Sequence, residues 1–126
     1  MKEVIAIIRM NMMNQTKRAL ADAGISSMTA REVLGRGKGI VDLDLLEGAE
    51  HGYEEAVSRL GQTDRLIPKR LILVSLPDNL VDTAVQTIIR VNQTKKSGDG
   101  KIFVLPSIDT VRIRTGEHGD AVLDEL

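Results

Sequence analysis

The chain has 126 residues, of which 42% are apolar and 28% charged, and its formal net charge is -1. This length fits one domain that buries about two-thirds of its unfolded-state surface, and the composition indicates a globular protein with no general attraction to nucleic acid or anionic lipid. It has no cysteine, which excludes disulfides and thiolate chemistry. The start, MKEVIAIIRM, is too short and too charged for a signal peptide or membrane span, so we expect a cytoplasmic protein without membrane insertion.

The first part of the chain predicts a strand, a helix and a second strand. EVIAIIR, residues 3–9, is a continuous apolar run with charged flanks, which is typical of a strand covered on both faces. In the next stretch Asn11 or Asn14 can cap a helix that Gly24 ends. MTAREVLG, residues 28–35, has period two and indicates the second strand.

The last part of the chain predicts a strand, a helix and two extended segments. RLILVSL, residues 70–76, is mostly apolar, and the stretch after Pro77 repeats apolar residues on one helical face, at positions 80, 81, 84, 85, 88 and 89. KIFVL, residues 101–105, and TVRIR, residues 110–114, read as strands. In an extended segment Arg112 and Arg114 would lie on the same face.

This order of elements predicts an α+β fold in a single domain, residues 1–126. The economical packing is a ferredoxin-like βαββαβ sandwich, in which two helices cover one face of an antiparallel sheet. The first and third strands nevertheless carry apolar residues at successive positions. We therefore expect self-association to cover the second face of the sheet.

A long loop, about residues 36–67, separates the second and third predicted strands. Loops of this length in compact domains are usually functional or disordered. This loop is rich in Asp and Glu, which leaves two interpretations open: a solvated acidic loop, or an arm that orders when it binds a partner. Its candidate partner-binding residues are Glu47, Glu50, His51, Tyr53 and Glu54.

The GDGK turn, residues 98–101, is a candidate anion site. Its glycines permit a nest of backbone amides, Asp99 can accept from a hydroxyl or cap the turn, and Lys101 supplies charge for a phosphate. The alternative is a plain turn that needs glycine for its backbone angles.

Two other features bear on anion binding. Two guanidinium groups on one strand face, Arg112 and Arg114, near no obvious acidic partner strand, suit a polyphosphate. An ordinary solvated sheet face is the alternative. The alternating glycines of GRGKG, residues 35–39, could also approach an anion, but they match neither the dinucleotide fingerprint nor the Walker pattern.

Catalysis finds little support in the sequence. His51 and His118 are the only histidines, no pair has metal-ligand spacing, and no nucleophile has a recognisable base nearby. We therefore expect a protein that is not an enzyme and has no metal centre built from its own side chains. RNA binding on such a sheet would need aromatic side chains on which bases can stack. Because Phe103 is the only phenylalanine, the sequence does not favour RNA binding.

TIIRVNQTKKSGDGKIFVLPSIDTVRIRTGE, residues 87–117, closely resembles the signature of the P-II nitrogen-regulatory signalling proteins. MKEVIAIIR, ALADAGISSMTAREVLGRGKG and PDNLVDTAVQTIIR resemble the other core segments of that family, so the similarity covers nearly the whole chain outside the long loop. The resemblance implies a ferredoxin-like trimer, either of this chain alone or with a P-II-like paralogue. It also implies ATP or ADP in the clefts between subunits.

The resemblance further implies which residues hold the nucleotide. One subunit's side would contribute Thr29, Gly35, Gly37 and Lys38. The other side would contribute Gly98, Asp99, Gly100, Lys101, Arg112 and Arg114.

P-II proteins sense 2-oxoglutarate beside the ATP phosphates, usually through Mg²⁺, a glutamine at the base of the long loop and a lysine after it. Lys69 in IPKR resembles that lysine, and Arg9 is a candidate helper. The glutamine is missing, because this chain reads GRGKGIV there, so the resemblance does not imply metal-bridged 2-oxoglutarate binding by this chain alone. The modified tyrosine of enteric members is replaced by His51, and the modification is not transferred to Tyr53.

The chain resembles the nitrogenase-associated branch of the family in three respects. These are the two departures just described, the longer loop, and a tail from about residue 115 to 126. That branch implies a pair of paralogues that bind dinitrogenase and inhibit it until 2-oxoglutarate with ATP releases them. Two alternatives stay open: an ordinary P-II regulator of an ammonium transporter, and a nucleotide-hydrolysing enzyme.

Overall fold

A computed structural model describes residues 1–37 and 66–123 of the chain. A short 3-10 helix, Met10–Met12, leads into the first α-helix, and another, Asp120–Val122, lies near the C-terminus. The larger elements, in chain order, are β1 Lys2–Arg9, α1 Met13–Asp22, β2 Thr29–Gly35, β3 Ile67–Leu76, α2 Asp78–Asn92 and β4 Lys101–Pro106.

The four strands form one sheet in the order β2-β3-β1-β4, and every neighbouring pair is antiparallel. This is the predicted ferredoxin-like α+β arrangement. Strands β2 and β3 pair up to Gly35 and Ile67. The two ends of the long interval between these strands therefore lie at adjacent positions of the sheet.

Burial alternates along the two central strands, as period-two geometry requires when helices cover one face. From Val4 to Ile8 in β1 and from Ile72 to Leu76 in β3, every second residue is fully buried under the helices. The helices contribute Leu20, Ala84 and Ile88 to the same core, which confirms the predicted apolar stripe of α2. The buried strand residues are Val4, Ala6, Ile8, Ile72, Val74 and Leu76.

The opposite face of the sheet is also apolar. Ile5 pairs with Leu73 on one side and with Phe103 on the other. Phe103 is 45% exposed and Leu105 is 40% exposed. Since the described residues leave this face without a cover, its composition supports the expectation of self-association.

The start of α1 differs from the sequence-based expectation. The residue that caps the helix is Met12, and it makes no side-chain capping bond. The reason is that the chain turns straight from Arg9 into the 3-10 helix, which places Asn11 inside that turn and Asn14 already inside α1. The predicted end is confirmed, because Gly24 has a φ of 89° and its N–H donates to the carbonyl of Ala21.

The prediction of a strand at residues 110–114 is wrong. Only one isolated bridge forms there, between Val111 and His118, and the chain then turns. The Arg112 N–H donates to the carbonyl of Glu117 over 2.9 Å, and the turn contains Gly116 at a φ of 73°. Within the described chain, no strand lies beside this alternating segment to complete a ladder.

A buried polar contact joins the two helices. Asn92 Nδ2 donates to the Thr16 hydroxyl over 3.0 Å and to the carbonyl of Ile88 over 2.9 Å. The Thr16 hydroxyl in turn donates to the carbonyl of Met12 over 2.7 Å. Both side chains are almost completely buried, so water cannot replace a lost partner.

We expect Asn92→Ala to lower the free energy of unfolding by about 2 kcal/mol, because it removes a buried hydrogen-bond donor. Urea denaturation measures the loss. Gln86→Ala, an exposed change on the same helix, should alter stability by less than about 0.5 kcal/mol. Equal losses in the two variants would contradict the assignment to the buried bond.

Candidate functional site

The predicted nucleotide-binding residues that the structure describes lie at two opposite ends of the sheet. Thr29 begins β2 and Gly35 ends it, which separates them by about 20 Å at 3.3 Å per residue. The resemblance grouped Thr29 with Gly35 and Gly37 on one subunit's side, whereas the length of β2 separates Thr29 from Gly35 within one chain. We call the end that contains Gly35 and Lys69 the loop end, and the end that contains Thr29 and Thr110 the hairpin end.

At the loop end, three predicted residues meet around Lys69. Arg9 lies opposite Lys69 in the β1–β3 register. Lys69 Nζ lies 3.4 Å from the carbonyl oxygen of Gly98. A Cβ placed on Gly35 would be in ordinary contact with Lys69 Cγ, at 3.9 Å. The base of the long loop and the GDGK turn are thus next to each other in one chain.

Asp99 organises the turn before β4. Its Oδ2 accepts from the N–H groups of Thr94, at 2.7 Å, and Lys95, at 2.9 Å. Its Oδ1 accepts from the Thr94 hydroxyl and from Arg9 Nη1, the latter at 2.7 Å. The predicted capping role of Asp99 is confirmed.

These contacts favour the ionised form of Asp99. The Thr94 hydroxyl, followed by the Thr94 backbone N–H, Arg9 and the Lys95 N–H, lowers the pKa of the Asp99 carboxyl far below its usual value. Partial burial opposes this shift but is outweighed. The carboxylate is therefore fully charged at neutral pH and holds the turn closed.

The two glycines of the turn have separate structural reasons. Gly98 has a φ of 97°, and a Cβ there would lie 3.3 Å from Arg9 Nη2. Gly100 has a φ of 114°, and a Cβ there would lie 2.0 Å from the carbonyl oxygen of Ile7. The positive φ angles and the short distances from a Cβ to neighbouring atoms thus explain why both positions are glycine. This agrees with the alternative of a plain turn that needs glycine. Lys101, which follows at once, is exposed at the start of β4.

The hairpin end contains both predicted arginines. Arg112 Nη1 forms an ion pair with Glu117 Oε1 at 3.2 Å, an acidic partner that the sequence analysis did not anticipate. Arg114 is exposed and has no ion-pair partner within residues 1–37 and 66–123. Because residues 110–114 form no strand, the strand geometry from which the common face of the two arginines was predicted is not present.

A second side-chain contact closes the same hairpin. His118 Nδ1 lies 2.8 Å from Asp109 Oδ2, and this contact, together with the Thr110 N–H, lowers the pKa of the Asp109 carboxyl. His118 is largely exposed. Next to the hairpin, a cleft of about 260 Å³ is lined by Thr29, Thr110 and the buried Leu123, among others.

The loop end contains a larger cleft, of about 440 Å³, which we call the corner cleft. Three of its lining residues, Arg9, Lys69 and Gly98, are among the residues predicted from the sequence, and the others are not. Asn11 was considered only as a helix cap, and no local pattern pointed to Met10 or Ser97. The lining residues are Arg9, Met10, Asn11, Ile67, Pro68, Lys69, Ser97 and Gly98.

Several predicted residues lie outside the part of the chain that the structure describes, namely Lys38, Glu47, Glu50, His51, Tyr53 and Glu54. Within the described ranges, no group of three or more His, Cys, Asp or Glu side chains could hold a metal ion. The helices of these ranges also include none that is long and apolar enough to span a membrane.

Comparison with known sequences gives consistent matches. The family model for nitrogen regulatory protein P-II matches residues 1–117. The nitrogen fixation nifHD region GlnB-like protein 2 of Methanobacterium ivanovii is 46% identical over 126 residues, covering 98% of this chain and 100% of that protein. The protein of the same name from Methanococcus maripaludis and nitrogen regulatory protein P-II 1 of Escherichia coli K12 are each 42% identical over 123 residues, with the same coverage.

The fold agrees with a solved structure. The crystal structure of Arabidopsis thaliana PII bound to citrate superposes with a TM-score of 0.71 at 28% sequence identity. The match covers 99% of this chain and 90% of that one. The chain therefore belongs to the P-II family of nitrogen regulatory proteins.

Proposed function

We propose that this chain is a cytoplasmic nitrogen-status signalling protein that regulates nitrogenase. In this proposal it binds ATP or ADP between the subunits of a trimer, formed by itself or with a P-II-like paralogue. It senses 2-oxoglutarate and binds dinitrogenase through its long loop. Its role is regulatory and not catalytic.

The observation that carries the proposal is the separation of the nucleotide-binding candidates. Gly35, Gly98 and Lys101 are near the loop end, whereas Thr29 and Arg114 belong to the hairpin end. One protomer cannot bring these groups onto one nucleotide, because the length of β2 separates them. A cleft that joins the loop end of one subunit to the hairpin end of its neighbour would do so.

Exposed apolar side chains support such an association. Ile108 and Ile113 in the C-terminal segment are completely exposed, and Phe103 and Leu105 on the uncovered sheet face are partly so. Burying apolar surface stabilises an assembly by roughly 25 cal/mol per Å². Contacts through this face would also place the hairpin end beside another subunit.

The position of the long loop supports a regulatory mechanism. The loop starts after Gly35 and ends before Ile67, beside the corner cleft and the GDGK turn. A ligand at this place can bias the conformation of the loop, provided that it binds the two conformations with different affinity. A target protein that binds only one conformation of the loop would then be bound or released according to the nitrogen status.

The choice of nitrogenase as the target rests on relatives. Two archaeal proteins named for the nifHD region of nitrogen fixation match nearly all of this chain. The second candidate is a P-II regulator of an ammonium transporter, which is favoured by the nearly equal similarity to P-II 1 of Escherichia coli. Retention of dinitrogenase by the immobilised protein supports the first candidate, and retention of membranes containing the transporter supports the second.

We expect Arg114→Ala and Lys101→Ala each to raise the Kd for ATP about tenfold or more, since hydrogen bonds to charged groups contribute about 1.5–3 kcal/mol. Calorimetry gives the affinity, and size-exclusion chromatography checks the assembly. Lys17→Ala, an exposed charge change on α1, is the control and should bind ATP normally. Loss of folding in the two site variants would instead show a structural role.

The decisive experiment for the proposed function is calorimetric titration of the chain with ATP, with and without 2-oxoglutarate and Mg²⁺. It is repeated with a candidate paralogue present. Tighter ATP binding with 2-oxoglutarate only in the presence of the paralogue would support a heteromeric nitrogenase regulator. The same coupling in the single chain would show a self-sufficient sensor, and a lack of ATP binding would contradict the proposal.

A further inference from the structure

We infer that a groove between α2 and the start of β4 binds a small, uncharged and largely apolar molecule that has one N–H or O–H donor. We call it the helix-face groove, because its floor includes Ile8, which is buried on the face of the sheet that the helices cover. This site is separate from the corner cleft and does not depend on the proposed function.

The groove exists because α2 leaves the outer strand β4 partly uncovered. The helix packs mainly on β1 and to a smaller extent on β3. Val104 of β4 pairs with the buried Val4 and therefore lies on the helix-covered face, yet it is 47% exposed. On the helix side, Ile89 is 37% exposed and lines the groove together with Ile102 of β4. An apolar strip thus stays open between the helix and the outer strand of the described chain.

The size and lining of the groove suit a small molecule with an apolar body. Its volume is about 420 Å³, which is within the usual range of small-molecule sites. Most of the lining surface is apolar, so an apolar ligand would gain free energy by leaving water. The apolar lining residues are Ile8, Val85, Ile88, Ile89 and Ile102.

Asn92 brings an unsatisfied hydrogen-bond acceptor to this groove. The residue lines the groove and is only 5% exposed. Its Nδ2 group uses both hydrogens, on the Thr16 hydroxyl and on the carbonyl of Ile88. Its Oδ1 atom is buried and has no hydrogen-bond partner in the described chain. Rotating the amide by half a turn would not help, because Oδ1 would then face the carbonyl oxygen of Ile88.

This acceptor gives the groove a preference for a ligand with a donor. A buried polar atom without a partner is rare in folded proteins and lowers their stability. A ligand that donates an N–H or O–H to Oδ1 would remove this cost, and the bond would be stronger than in water because the surroundings are apolar. The apolar strip and the acceptor together therefore define the class of ligand.

The charged residues at the groove favour a ligand without net charge. Asp99 and Lys101 both line it and have opposite charges. Both oxygens of Asp99 already accept hydrogen bonds within the turn. Neither sign of charge is thus selected, and an ionised ligand would have to leave water for a mostly apolar surface.

The test is a titration of the full-length, isotope-labelled protein with indole and with indene, followed by the chemical shifts of its amide groups. Indene has nearly the same shape as indole but lacks the N–H donor. We expect indole to shift the signals of the Asn92 side chain and of the Ile102 backbone, and indene to bind about fivefold more weakly or less. Equal affinity for the two probes would overturn the inference, because Oδ1 would then take no bond from a ligand.

Val85→Phe tests the location of the site, because the larger ring fills the groove and leaves Asn92 in place. We expect this variant to raise the Kd for indole about tenfold or more, while unchanged signals from β2 show that it folds. Gln86→Phe is the matched control, since it adds the same ring at an exposed neighbouring position, and it should bind indole normally.

Normal binding by Val85→Phe, or an equal loss in both variants, would place the probe elsewhere and overturn the inference. Absence of indole binding to the assembled wild type would also overturn it, because another subunit or protein would then cover the groove. None of these outcomes bears on ATP binding, so the proposed function stands or falls separately.

Discussion

Replacing Gly100 with alanine is expected to destabilise the protein by about 3 kcal/mol or more. The added Cβ would lie 2.0 Å from the carbonyl oxygen of Ile7, and the backbone angle of 114° disfavours any side chain. Overpacking costs about 1–3 kcal/mol and a strained backbone angle a similar amount. Since Lys101 pairs with Ile7 at the start of β4, relief of the clash would also disturb the joining of β4 to β1.

Urea denaturation of Gly100→Ala measures this loss. Gly37→Ala is the matched control, because a Cβ there would meet nothing within 4 Å in the described part of the chain and the residue lacks a positive φ. We expect the control to change the free energy of unfolding by less than about 0.5 kcal/mol. Similar stability of the two variants would mean that β4 can move away from β1 without cost, contrary to the close approach described.

Asp99→Asn is expected to loosen the turn before β4 and to weaken ATP binding. The substitution removes the charge that binds Arg9 and weakens the bonds to Thr94 and Lys95. Gly98 and Lys101 would then lose their fixed positions. Calorimetry should show an ATP Kd raised by about tenfold or more, as expected when charged hydrogen bonds are lost, together with a lower melting temperature.

The stability difference between the wild type and Asp99→Asn should depend on pH. The folded-state pKa of Asp99 is lowered, mainly by the Thr94 hydroxyl. The folded protein therefore holds this carboxyl deprotonated where the unfolded chain, with an ordinary value of 3.8, already takes up a proton. The stabilisation is complete above that value and is lost progressively as the pH falls below it.

Denaturation at pH 7 and pH 3 tests this dependence. We expect a clear difference between wild type and variant at pH 7 and a smaller one at pH 3. Asp82→Asn, an exposed change on α2, should match the wild type at pH 7. A difference that stays constant between the two pH values would show that the ionisation of Asp99 is not what stabilises the turn.

Arg9 illustrates how the structure changes the interpretation of a residue. The resemblance to the family suggested a helper in 2-oxoglutarate binding, but both terminal nitrogens of Arg9 hold the turn between α2 and β4. The sequence could not show this, since 90 positions separate Arg9 from Asp99. Arg9 thus holds this turn in place, whereas the Lys69 ammonium makes one long contact, 3.4 Å, with the carbonyl oxygen of Gly98.

Local sequence determined the order of elements and the packing core. Alternating apolar residues in β1 and the repeat at 80, 81, 84, 85, 88 and 89 predicted buried faces correctly, because strand and helix periods depend only on backbone geometry. The end of α1 at Gly24 and the cap at Asp99 also followed from local chemistry. Resemblance of residues 87–117 to a known signature identified the family.

Tertiary structure alone decided which distant residues meet. It excluded a strand at 110–114, because a strand needs a neighbour and the described sheet provides none there. It also separated Thr29 from Gly35, brought Lys69 beside Gly98 and opened the corner cleft next to Asn11. These outcomes depend on long-range register and on the surfaces left uncovered, whereas periodicity in a sequence reports only the face on which a residue lies.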